Sequence, residues 1–142
     1  MMTQLQAIRW FITQITNDHV TFRKRRWVWA CAINENHPTF YLPSDLNEND
    51  EEDKLFRQDF ISRCPLAHDF ADISLTILHE VGHFYNREIA LENDFEEYES
   101  ITGVDHFKIP SEIVATDWAI QWLQNPENRK LAKAFERQYF KH

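Results

Sequence analysis

The five residues His79-Glu80-Val81-Gly82-His83 constrain this chain more than any other stretch. Two histidines four positions apart can point at one metal ion when the backbone between them is helical, because a helix stacks positions i and i+4 one turn apart on one face. The flanking sequence supplies that helix: Phe70, Ile73, Ile77, Val81 and Phe84 recur at three and four and mark an apolar face. His79 and His83 fall on the opposite side, among Asp72, Thr76 and Asn86, where an ordinary solvated back would carry more charge. Neutral imidazole suits zinc, which takes nitrogen at about 2.0 to 2.1 Å and in catalytic sites keeps a position for water. The expected cofactor is therefore Zn2+, with His79 and His83 as ligands and Glu80 as the catalytic base that takes the water's proton. The bland alternative is a pair of surface histidines on an amphipathic helix.

A catalytic zinc with two histidines takes a third protein ligand, commonly a carboxylate. The helical stretch 111–123 offers Glu112 and Asp117. At 100° per residue Glu112 shares a face with Ala115, Ala119 and Leu123, whereas Asp117 lies on roughly the other side. Small residues allow close helix approach, so this face can press on the motif helix near Gly82 and deliver Glu112 to the metal. Asp117 is then either a partner for a histidine N–H or a surface acid, and the choice of third ligand between the two stays open on the sequence. Tyr98 and His106, in the acidic and aperiodic stretch after Arg87, are candidates for stabilising an oxyanion.

A length of 142 residues fits one domain, 1–142, and 43% hydrophobic residues with five tryptophans and eleven phenylalanines suffice for one core. The formal net charge of −8 makes nucleic acid an unlikely partner, although Arg23-Lys24-Arg25-Arg26 form a local basic run, read as a solvated turn. The two cysteines, Cys31 and Cys64, form no C-x-x-C pair, and no secretory leader or apolar run of membrane-spanning length is evident. The expectation is a soluble cytoplasmic protein with no membrane partner, acting on a protein or peptide.

Along the chain, Leu5, Ile8, Phe11, Ile12 and Ile15 predict a helix over 3–16 that breaks at Asn17-Asp18. Val20 to Ile33 is rich in strand formers, and Thr39-Phe40-Tyr41-Leu42, closed by Pro43, reads as a short edge strand to which an extended peptide can add. Leu55, Phe56, Phe60 and Ile61 recur at helical spacing after an acidic loop, Asp69 is the expected N-cap of the motif helix, and Ser111 that of the next. Asn125-Pro126-Glu127 opens a last helix to Phe140. The expected class is α+β: a small domain with a short mixed sheet of about three strands packed with helices, including the one bearing the histidines.

His79-Glu80-Val81-Gly82-His83, followed by Glu112-Ile113-Val114-Ala115, Trp118-Ala119 and Leu123 to Pro126, resembles the gluzincin-type zincin metallopeptidases, in particular the compact ImmA/IrrE-like proteins. The resemblance covers roughly residues 70 to 126. It implies a zincin-like fold, His79, His83 and Glu112 as zinc ligands, Glu80 as general base, and hydrolysis of a peptide bond in an intracellular, regulatory protein. A phage or mobile-element context goes with that family. Thr116 stands where the family usually has asparagine or aspartate, and the interval from 83 to 112 is long for so small a member. The rival expectation is a catalytically silent zincin-fold protein that binds and regulates or inhibits a partner.

Overall fold

The computed structural model describes residues 2–17, 21–25, 30–32, 39–43, 51–86 and 110–141, with side chains described over 2–17, 57–86 and 112–141. The first helix, α1 (Gln4–Thr16), begins one residue after the expected start, with Thr3 as its N-cap. Thr3 accepts from the Gln6 N–H, the Gln6 side chain closes a reciprocal capping box, and Asn17 ends the helix in the left-handed region at φ 49°. Then follow α2 (Glu51–Arg63), a short 3-10 turn (Pro65–Asp69), α3 (Asp72–Tyr85), α4 (Pro110–Leu123) and α5 (Pro126–Tyr139). Asn125 caps α5 by accepting from the Glu127 N–H, with Pro126 at the first helical position.

Helix α3, which carries both histidines, is the centre of the described body. It packs on α1, α2, α4, α5 and the backbone of residues 30–32, most extensively on α4. Ser74, Leu75, Ile77, Leu78, His79, Val81, Gly82 and Phe84 are all buried, so the single apolar face expected from Phe70, Ile73, Ile77, Val81 and Phe84 is too narrow. A helix enclosed on most sides belongs to a core rather than to a surface. Across α1 and α5, Phe11 stacks on Phe135 with centroids 4.6 Å apart, and Trp122 of α4 meets Phe11 edge-on at 5.9 Å.

The expected α+β class is corrected to an all-helical fold. Of the residues with described side chains, 86% are helical and none lies in a strand. Every residue of the described core comes from the helices or the turns between them. Between α1 and α2 the backbone forms three short runs, β1 (Thr21–Arg25), β2 (Ala30–Ala32) and β3 (Thr39–Pro43), ordered β1-β3-β2. Runs of five, three and five residues form one small sheet that meets α3 through β2, while the side chains described as buried are those of the helices and the turns between them. β-forming residue types were read as a packing layer, and packing is what sets the class. Nor is Thr39–Leu42 an edge: β3 pairs with β1 in parallel and with β2 in antiparallel fashion.

Two caps also differ from expectation. The N-cap position of α3 is Ala71, which offers no side-chain acceptor, and Asp69 belongs to the preceding 3-10 turn. Its capping carboxylate comes instead from α5: Glu136 Oε2 accepts from the Ala71 N–H at 2.8 Å and from the Ser74 hydroxyl at 2.6 Å. Arg57 braces the same end, donating to the Phe70 carbonyl at 2.9 Å and pairing with Asp72 at 2.6 Å. Ser111 lies inside the first turn of α4, which starts at Pro110.

Candidate metal centre

The geometry starts from a glycine. A Cβ placed on Gly82 would meet the carbonyl carbon and Cα of Ala115 at 2.9 Å and its carbonyl oxygen closer still. Only a residue without a side chain lets the two backbones touch there. Helix α4 lies on α3 through Ala115, Thr116, Ala119 and Leu123, all buried, and the positions 112, 115, 116, 119 and 123 form one helical face. Glu112 sits at the N-terminal end of that face, one turn before Thr116.

That close approach brings three donor atoms together. Glu112 Oε2 lies 2.6 Å from His79 Nε2 and 3.0 Å from His83 Nε2, and the two imidazole Nε2 atoms are 3.1 Å apart. The rings stand almost perpendicular, at 88°, so that these nitrogens face one point rather than stacking. The three side chains are only 9%, 13% and 15% exposed for His79, His83 and Glu112 respectively. Donor atoms each about 2.0 to 2.1 Å from a tetrahedral zinc stand roughly 3.3 Å from one another. The observed triangle is slightly tighter.

The far side of His79 is held as well. His79 Nδ1 lies 2.9 Å from Thr116 Oγ1 in a buried contact. Glu80 is half-buried, with a carboxylate oxygen within 4.8 Å of the histidine donor atoms. The donor set of two imidazoles and a carboxylate, with a second carboxylate beside it, is one that zinc accepts. His79, His83 and Glu112 are the residues that would hold the ion.

Asp117 does not reach this cluster. It is exposed and pairs with Arg63 of α2, on the face of α4 opposite to Glu112. The ring nitrogen of His79 that faces away from the cluster has Thr116, and not Asp117, as its partner. The reason is helical phase: the residue after Thr116 is turned away from α3 by 100°. Tyr98 and His106 lie outside the described residues. Thr116 itself was legible only as a departure from a family pattern, although its spacing of four from Glu112 on the alanine-lined face was a usable signal.

Beside the cluster, Tyr85 stacks on Trp118 at 5.0 Å and donates its hydroxyl to the Ile15 carbonyl at 3.1 Å, tying the ends of α1 and α3 to α4. Among the described residues no helix is long and apolar enough to cross a membrane. No protein-family model matches the chain, and neither a curated protein nor a solved structure is significantly similar to it.

Proposed function

We propose that this chain is a zinc-dependent metallopeptidase of zincin type, hydrolysing a peptide bond in an intracellular protein. The observation that carries the reading is the convergence of His79 Nε2, His83 Nε2 and Glu112 Oε2 from two helices onto one point, with the Glu80 carboxylate alongside. When bound, zinc would polarise the scissile carbonyl and make water acidic enough to react near neutral pH. Glu80 takes the proton that the attacking water loses and delivers it to the nitrogen of the leaving amine as the C–N bond breaks. Glu112 and His79, fixed on α4 and α3, give that chemistry a rigid base, because the Gly82–Ala115 contact leaves the helices no room to slide together. A cytoplasmic setting is supported by Cys64, which is buried and free.

Two measurements on the full chain test this. Plasma emission analysis should find about one zinc per chain in the wild type and none after His79→Ala with His83→Ala. Glu80→Gln keeps the size and hydrogen-bonding capacity of the side chain but cannot accept the proton. It should retain zinc while hydrolysis of a peptide library falls roughly 10²-fold or more. Zinc in the double variant would overturn the ligand assignment. Undiminished cleavage by Glu80→Gln would remove the enzymatic reading and leave a metal-holding binding protein.

A further inference from the structure

We infer that the outer face of α5 is a docking surface for a short acidic segment of a partner protein, gripped by Lys130, Arg137 and Lys141 and anchored on the exposed ring of Phe140. Charge is unevenly spread along the chain. Residues 126–142 carry five basic side chains against two acidic ones, a net +3, which leaves −11 on the rest of a chain whose total is −8. The fold gathers that positive excess on one face. At 100° per residue Lys130, Lys133 and Arg137 fall within about 60° of one another, roughly opposite the buried Ala132, Phe135 and Tyr139. Phe140, whose N–H still bonds the Glu136 carbonyl at 2.9 Å, continues this face three residues after Arg137, and Lys141 follows it.

Lys133 is already committed, since it donates to the Asp69 carbonyl and lies 4.7 Å from the centroid of the Phe70 ring. The other three cations are available. Lys130 pairs with Glu127 at 3.2 Å, but the two side chains are 75% and 77% exposed, and such a pair exchanges partners at little cost. Arg137 and Lys141 are exposed, and neither pairs with an acid among the described residues. The negative C-terminal end of a helix accounts for cations near its last turn. It does not account for a phenylalanine 59% exposed between them, the most exposed large hydrophobic among the described residues. Aromatic rings surrounded by polar side chains are the usual anchors of protein interfaces. The length of the stripe selects the occupant. From Lys130 to Lys141 it runs about 16 Å along the helix axis, the span of roughly five extended residues. A nucleic acid would carry its phosphates past both ends toward the rest of the chain, with its net −11, and be repelled there.

Fluorescence anisotropy on the full chain, with a labelled oligoglutamate peptide carrying one central phenylalanine, tests this. Wild type should bind the peptide. Raising the ionic strength from about 0.1 to 1 M, which cuts the screening length from about 10 to 3 Å, should remove most of that binding. Arg137→Glu with Lys141→Glu should weaken the peptide roughly 10-fold or more, and Phe140→Ser about 5-fold or more. Melting temperatures should stay near that of wild type, because all three side chains are exposed. The same charge reversal in the basic run, Arg23→Glu with Lys24→Glu, should weaken the peptide far less. A peptide that does not bind wild type overturns the assignment, as does an equal loss in the two reversal pairs or undiminished binding by Phe140→Ser. Tighter binding of a single-stranded oligonucleotide of matching charge overturns it too. Binding is expected with and without zinc, so these outcomes are independent of whether the metal centre stands.

Discussion

Gly82 and Ala115 touch backbone to backbone: the hydrogen on the Gly82 Cα occupies the place where a methyl group would overlap the Ala115 carbonyl. The contact sets the distance between α3 and α4, and with it the reach of Glu112 to the histidines. Gly82→Ala improves intrinsic helix propensity by about 1 kcal/mol. Overlap with rigid backbone, which cannot swing aside as a side chain does, should outweigh that gain and leave the protein about 1 to 3 kcal/mol less stable. Urea denaturation gives the stability, and chelator competition should show weakened zinc binding in the same variant. A variant as stable as wild type would mean that the helices part easily.

The two acids of α4 are expected to behave oppositely. The Glu112 side chain is only 15% exposed, held against both histidines, whereas the Asp117 side chain is 56% exposed in a surface pair with Arg63. Glu112→Gln should cost most of the zinc affinity. Asp117→Asn should leave zinc binding unchanged and shift stability by no more than about 1 kcal/mol, the range of exposed ion pairs. Competition titration of both variants checks the contrast, and loss of zinc in Asp117→Asn alone would refute the register of α4.

The remote cap of α3 is separable from the metal. Glu136→Ala removes the acceptor for the Ala71 N–H and the Ser74 hydroxyl, and should destabilise by about 1 to 3 kcal/mol. Ser74→Ala should cost less. A double-mutant cycle read by urea denaturation is expected to show coupling between the two, since each variant breaks the same 2.6 Å bond. Additive losses would show that the bond contributes nothing.

Tyr139 supplies a pH dependence. Burial pushes its phenol above the ordinary value, because the charged form is poorly solvated inside. The fold therefore favours the neutral phenol; this contribution is fully present below about pH 10 and is lost as pH rises through the folded value. Between pH 9 and 11 the urea midpoint of wild type should fall more steeply than that of Tyr139→Phe. Parallel slopes would show that the phenol ionises as freely in the fold as in the unfolded chain.

Local signals in the sequence were strong wherever a residue acts on its own helix. Asn17 and Asn125-Pro126 mark helix ends through bonds spanning a few residues, and the structure makes those bonds, adding a Thr3–Gln6 capping box that the apolar spacing did not reveal. The spacing of His79 and His83 and the phase of Glu112 against Ala115 and Ala119 are also local. The helical period alone therefore told which side chains could converge and that Gly82 was the place for close approach. Asp69, by contrast, looks like a cap because nothing in the local pattern reveals that the acceptor for the Ala71 N–H is Glu136, 65 residues beyond Ala71.

Fold class and the surroundings of the site needed the tertiary structure. Strand-forming residues between 20 and 43 favour extended backbone, yet how much of a layer such backbone makes depends on what else covers the helices, and here α4 covers α3 far more extensively than β2 does. The sequence determined which side chains of one helix can face one point, since that follows from 100° per residue along the helix. Only the packing of α4 on α3 decided that Thr116 holds His79 and that Asp117 goes to Arg63, because those partners are joined by a distance across space that no repeat in the chain encodes.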